Sequence, residues 1–248
     1  MAERVELPVP GLDRSLGVIR HGHYGRGVLV FPSEAGRAED FANNGMVDAV
    51  RGLVDSGRVT FFCVDSLDAW SWSANEHSTE ERARRHGFYH RWLEQQVLPH
   101  IGYEMGTPPT ELMTLGVSMG AYHAIDFTLQ RADAAPLAIG LSGNYDPTTW
   151  HGWGDLGDNT YFANPMAYVA GAENGHLDWL RARPSLLLVV GQGPFEWQPT
   201  QSYPSTIAFA NVLRDKGIRH ELDIWGHDSA HDWPWWQRQL AHHLPRFC

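Results

Sequence analysis

Short apolar runs recur along this chain, separated by longer stretches whose polar and apolar positions alternate with helical spacing. The runs at 27–31 (GVLVF), 59–64 (VTFFCV), 112–117 (LMTLGV), 136–141 (PLAIGL), 186–190 (LLLVV) and 221–225 (ELDIW) all have strand length and stop at turn-forming or polar residues. Between them the spacing predicts helices over 41–55, 80–103, 121–131 and 203–216. Strands alternating with helices of this length argue for an α/β architecture, a mostly parallel central sheet flanked by helices. Residues 4–19 precede the first such strand and are expected to add an antiparallel edge. Two segments break the rhythm, 65–77 (DSLDAWSWSANEH) and the Gly-, Asp-, Asn- and Trp-rich 142–164. Each directly follows a strand, where open α/β sheets place their binding loops, so both are expected to wall a site. No repeat, low-complexity tract or linker interrupts the pattern, and 1–248 is expected to be a single domain.

Composition narrows the classes. Hydrophobic residues make up 43% of the 248 residues and 11 are Trp, enough for a large core with aromatic surface left over for a pocket. The net charge of -10 and the lack of an extended Lys/Arg cluster argue against a nucleic-acid partner. The most basic stretch, 82–91 (RARRHGFYHR), reads as a solvated helix face. Cys63 lies inside an apolar run and Cys248 is the last residue, so no disulfide framework is expected and Cys63 should be buried and reduced. Residues 1–17 carry Glu3, Arg4, Glu6, Pro8 and Pro10 and no apolar stretch of signal-peptide length; no segment approaches the roughly 20 apolar residues of a membrane span. The expectation is a soluble, cytoplasmic protein without a membrane span.

The chemistry concentrates in three places. Gly116-Val117-Ser118-Met119-Gly120 fits G-x-S-x-G, with an apolar strand before it and a small-residue helix start after it. A serine in so tight a strand-to-helix turn needs neighbours two positions away that avoid sheet and helix, and glycine does so. The N–H of Met119, free at the helix start, would face the carbonyl oxygen of a substrate attacked by Ser118, forming half of an oxyanion hole.

In this arrangement the nucleophile is followed along the chain by an acid and then a histidine. After ELDIW the loop Gly226-His227-Asp228-Ser229-Ala230-His231-Asp232 leads into a C-terminal helical pattern. His231, immediately before that helix, is the better base; His227, at the strand end, is the alternative. Glu196 is the first carboxylate on the loop after LLLVV and the chosen acid, with Asp223 and Asp228 as fallbacks. The second oxyanion donor should come from the loop after GVLVF, where Ser33, Glu34 and Ala35 are candidates. His21-Gly22-His23 and the segment 227–232 hold possible metal ligands, but neither C-x-x-C nor H-E-x-x-H accompanies them, so no metal is expected. Without a G-x-G-x-x-G after the first strand or a G-x-x-x-x-G-K-[ST], no nucleotide cofactor is expected either.

Taken as a set, FPSEAGRAEDF, CVDSLDAWSW, RRHGFYHRWLEQQVLPHI, GVSMGAYHA, YFANPMAYV, GQGPFEW and WGHDSAHDWPWWQRQL give the chain a likeness over most of its length. It resembles the branch of the α/β-hydrolase superfamily that holds esterase D-like enzymes and mycolyl transferases. The resemblance implies an α/β-hydrolase fold with an extended helix before the elbow, little or no lid, and a triad of Ser118, Glu196 and His231. It also implies a pocket for an acyl or alkyl chain, for which Trp70, Trp72, Trp150, Trp153, Trp197 and Trp233 are candidate lining residues. In the loop after GVLVF the chain departs from the family, with Glu34 and Ala35 in place of a glycine-containing turn. The function expected is that of a serine esterase acting on a small-molecule ester through an acyl-enzyme. An acyltransferase using the same triad and a non-catalytic binding protein on the same fold are the alternatives.

Overall fold

The computed structural model describes residues 3–150 and 152–248. At one edge, β1 (Arg4–Pro8) and β2 (Ser15–His21) form an antiparallel hairpin, and β2 pairs antiparallel with β4 (Val59–Val64). From there the sheet is parallel. β3 (Arg26–Phe31) lies between β4 and β5 (Met113–Val117), followed by β6 (Leu137–Leu141), β7 (Ser185–Val190) and β8 (His220–Ile224). Every residue of β4, β5 and β6 is buried, because helices cover both faces; that is why these strands read as unbroken apolar runs. β8 closes the far edge with a mixed pattern.

Alternate residues of the strands feed two core layers. On one face Val28, Val30, Phe61, Cys63 and Leu115 pack with Phe41, Met46, Trp236 and Leu240. On the other, Leu29, Phe31, Phe62 and Val64 pack with Tyr89, Trp92, Val97, Ile101 and Phe127. Cys63 is buried and Cys248 half-buried, and both are free thiols. Burial pushes the Cys63 thiol well above its ordinary range.

Two sequence expectations need correction. The helix read over 41–55 is three short pieces, α1 (Asp40–Asn43), α2 (Met46–Ala49) and α3 (Arg51–Asp55). Asn43-Asn44-Gly45 supplies the reason: Gly45 takes a left-handed φ of 71°, the conformation that ends a helix, and Val50 leaves the helical region at φ -128°, ψ 22°. The second correction concerns 82–91. Helix α4 (Thr79–Trp92), capped by the Ser78 hydroxyl accepting from the Glu81 N–H, continues through a π turn (Leu93–Val97) into α5 (Leu98–Met105). Arg82, His86 and Tyr89 share its inner face and are buried, Arg82 donating to the Trp72 carbonyl oxygen and to Asn75 Oδ1. Basic composition concealed an inward face because Arg82 and Tyr89 find acceptors outside the helix, Tyr89 donating to the Asp65 carbonyl oxygen.

Among the described residues six further α-helices complete the flanking layers: α6 (Met119–Gln130) after β5, then α7 (Asp158–Phe162), α8 (Pro165–Gly171) and α9 (Asn174–Ala182) between β6 and β7. α10 (Ser202–Lys216) follows β7, and α11 (Trp233–His243) follows β8. Among the described residues no helix is long and apolar enough to cross a membrane.

Candidate active site

β5 ends at Val117 and α6 begins at Met119, leaving Ser118 alone to make the turn, at φ 56° and ψ -123°. A non-glycine residue pays strain in that conformation and keeps it only when its surroundings insist. Here the Ser118 N–H donates to the Leu141 carbonyl (2.9 Å), and the Ala121 N–H donates to the Ser118 carbonyl (3.0 Å). The flanking glycines are steric requirements. A Cβ on Gly116 would overlap the Gly120 backbone carbonyl, and one on Gly120 would overlap the backbone of Phe31 and Pro32. Backbone cannot swing aside as a side-chain tip can. Gly116→Ala is therefore expected to lose about 3 kcal/mol or more of stability, seen as a lowered urea midpoint. Gly52→Ala, where a Cβ meets nothing within 4 Å, should leave the midpoint unchanged or raise it.

His231 Nε2 lies 2.8 Å from Ser118 Oγ, and His231 Nδ1 lies 3.3 Å from Glu196 Oε2. With Nδ1–H directed at the carboxylate, Nε2 is left to accept the serine proton. Two loops bring the histidine there. Gly193 N–H donates to the Ser229 carbonyl (2.8 Å) and His231 N–H to the Pro194 carbonyl (3.0 Å), tying the segment after β8 to the segment after β7. The imidazole also rests edge-on against Trp236, ring centroids 5.0 Å apart.

Glu196 is fully buried. Its Oε1 accepts from Ser142 Oγ (2.6 Å) and the Gly191 N–H (3.2 Å), while Trp236 Nε1 donates to Ser142 Oγ (3.0 Å). Ser202 Oγ stands 3.4 Å from His231 Nδ1. A buried carboxylate so supplied with donors keeps a fixed orientation toward the imidazole. Ser142, Ser202 and Trp236 were not singled out in the sequence; the available signal was that Ser142 directly follows a strand at the sheet's binding edge.

The alternatives lie elsewhere. His227 is exposed with Nδ1 near the Gln192 carbonyl (3.3 Å), and Asp228 is exposed. Asp223 Oδ2 accepts from Trp225 Nε1 and from His243 Nε2 of α11, both at 2.8 Å.

The three oxyanion candidates after β3 separate as well. The Ala35 N–H donates to Asp68 Oδ2 (3.2 Å), so Ala35 is no free donor, a correction forced by a buried carboxylate from 33 residues further on. Ser33 uses its carbonyl to accept from Gly36 N–H (2.9 Å), and Glu34 lines the site with Oε1 accepting from Ser73 Oγ (2.6 Å). Asp68 also meets His123 Nε2 of α6 at 2.9 Å. Burial pushes the Asp68 carboxyl up, but His123, His86 and the Ala35 N–H outweigh it and hold the group below its ordinary range.

Ser118 and Met119 open onto a cavity of about 200 Å³ whose walls include Glu34, Trp72, Asn144, Thr149, Trp150 and Ser202. The two rhythm-breaking segments thus contribute Trp72 from one and Asn144, Thr149 and Trp150 from the other. The remaining tryptophans do not line it. Trp70 stacks beneath Arg14 and Arg85, Trp153 and Trp197 are half exposed, and Trp233 packs on Trp236.

No protein-family model matches this chain, and no curated protein matches it in sequence. Solved structures do. MPT51 of Mycobacterium tuberculosis superposes with a TM-score of 0.76 at 15% identity, over 100% of this chain and 97% of its own. An S-formylglutathione hydrolase from Agrobacterium tumefaciens gives 0.74 at 13% identity over 98% and 93%, and a ferulic acid esterase 0.72 at 15% over 100% and 97%. With the strand order and the elbow, these likenesses define an α/β-hydrolase fold.

Proposed function

We propose that this chain is a serine esterase acting on small-molecule carboxylic esters through an acyl-enzyme. The observation that carries the reading is the connected line Glu196, His231, Ser118 at the mouth of a cavity, with Ser118 Oγ 2.8 Å from His231 Nε2. Ser118 Oγ attacks the acyl carbon as His231 Nε2 takes its proton, and Glu196 stabilises the imidazolium across Nδ1. The tetrahedral oxyanion is held by the Met119 N–H at the start of α6 and by a second N–H from the loop after β3, with Glu34, which lines the cavity, as the donor. His231 then protonates the leaving alcohol. Water, deprotonated by the same nitrogen, releases the acid and restores Ser118.

Support also comes from the likeness in fold to a ferulic acid esterase and to S-formylglutathione hydrolases. A cavity of about 200 Å³ suits a small acyl group. The test is labelling with a fluorophosphonate followed by peptide mapping, beside p-nitrophenyl acetate hydrolysis. Stoichiometric label on Ser118 with turnover supports the reading; an unlabelled Ser118 in a folded, inactive protein rejects it in favour of a non-catalytic binding protein.

A further inference from the structure

A second group of chemistry-bearing side chains lies away from the triad, between α4 and α6. His86 and His90, four residues apart and so on one face of α4, meet Asp126 of α6. His90 Nε2 is 2.9 Å from Asp126 Oδ2 and His86 Nε2 is 3.7 Å from the same oxygen; one ligand atom from each of the three falls within 4.8 Å of the others. Asp126 is fully buried and His86 is 2% exposed. The other carboxylate oxygen, Oδ1, accepts from Tyr168 OH (2.8 Å) and Gln130 Nε2 (3.0 Å), which turns Oδ2 toward the two imidazoles.

A plain hydrogen-bond network does not account for this arrangement. Among the described residues His86 Nδ1 and His90 Nδ1 have no hydrogen-bond partner, and His86 Nε2 has none closer than the Asp126 oxygen at 3.7 Å. Leaving ring nitrogens of these packed imidazoles unmet costs free energy that a ligand would recover. The group also has a way in: a cavity of about 190 Å³ bordered by His86, Gly87, His90 and Asp158 adjoins it.

We propose that His86, His90 and Asp126 bind a divalent first-row transition ion of the zinc class. Two imidazoles and one carboxylate form the donor set such ions favour, and the cavity leaves room for a water as fourth ligand. Tetrahedral coordination at about 2.0–2.1 Å sets ligand atoms roughly 3.4 Å apart, so binding requires shifts on the order of 1 Å. Tyr168 and Gln130 hold the carboxylate from behind, the outer support that metal-ligating carboxylates use. This departs from the expectation of no metal drawn from 21–23 and 227–232; the sequence signal is the His-x-x-x-His spacing of His86 and His90 inside 82–91. The proposal is independent of the esterase reading.

The experiment uses chelator-treated, dialysed protein titrated with Zn²⁺ by calorimetry and with Co²⁺ by visible absorption. One ion per chain is expected, with the intense d–d bands of a four-coordinate Co²⁺ and a rise in Tm on adding Zn²⁺. His90→Ala should weaken binding by about 100-fold or more and abolish the Tm rise. His90→Gln, which keeps an amide to bond Asp126 but offers no imidazole, should fold normally and lose binding too. His23→Ala, distant in the chain and exposed, should bind as wild type does. Failure of wild type to bind one ion, or wild-type affinity in folded His90→Gln, overturns the proposal.

Discussion

Ser118→Ala is expected to lower kcat/KM for p-nitrophenyl acetate by about 10⁴-fold or more while leaving the circular dichroism spectrum and urea midpoint close to wild type. The size of the loss follows from the geometry. Without Oγ there is no acyl-enzyme, and His231 Nε2, 2.8 Å from where the hydroxyl was, has only a loosely placed water to activate. What remains is the rate given by oxyanion donors and binding alone. The fold should tolerate the change because the unusual backbone of Ser118 is held by main-chain bonds to Leu141 and Ala121, which alanine keeps. A folded Ser118→Ala protein retaining more than a tenth of wild-type activity would remove Ser118 from the mechanism.

Glu196→Gln is expected to cost on the order of 10³–10⁴-fold in kcat with little change in KM. Glutamine matches glutamate in shape, so the effect isolates charge and hydrogen-bond direction. An amide nitrogen facing His231 Nδ1 donates where the carboxylate accepted, placing the imidazole proton on Nε2, where it can no longer take the serine proton. If the amide instead turns its nitrogen toward Oε1's place, it opposes two donors, Ser142 Oγ and the Gly191 N–H. Either orientation leaves the imidazolium without a buried negative charge to offset it. Ser202 Oγ, 3.4 Å from Nδ1, can orient the ring in part but carries no charge. Wild-type kcat in folded Glu196→Gln would show that the carboxylate is only structural and takes no part in catalysis.

Much of this is legible in the sequence. The apolar runs mark the strands because a parallel sheet covered on both faces tolerates little else, and G-x-S-x-G between a strand and a helix marks the elbow because the turn's sterics are local. The order along the chain of Ser118, Glu196 and His231 pointed to three residues that the structure draws together. Other readings failed where distant residues decide the environment. Arg82 and His86 looked solvent-facing by charge, yet Arg82 is buried with its guanidinium on the Trp72 carbonyl and His86 is buried beside Asp126. The 41–55 helix looked continuous by periodicity, yet Gly45 and Val50 break it.

The sequence by itself determined the succession of strands, the elbow and its glycines, and the loops from which a base and an acid could come. Each of these depends on neighbours a few residues away. Tertiary structure alone decided that Glu196 rather than Asp223 or Asp228 faces His231, and that Ser142 and Trp236, 94 residues apart, brace that carboxylate. It also took the Ala35 N–H for Asp68 and set His86 and His90 against Asp126. The physical reason is that a side chain's partners depend on which elements pack against it, and the pattern of one segment carries no record of the side chains another segment brings.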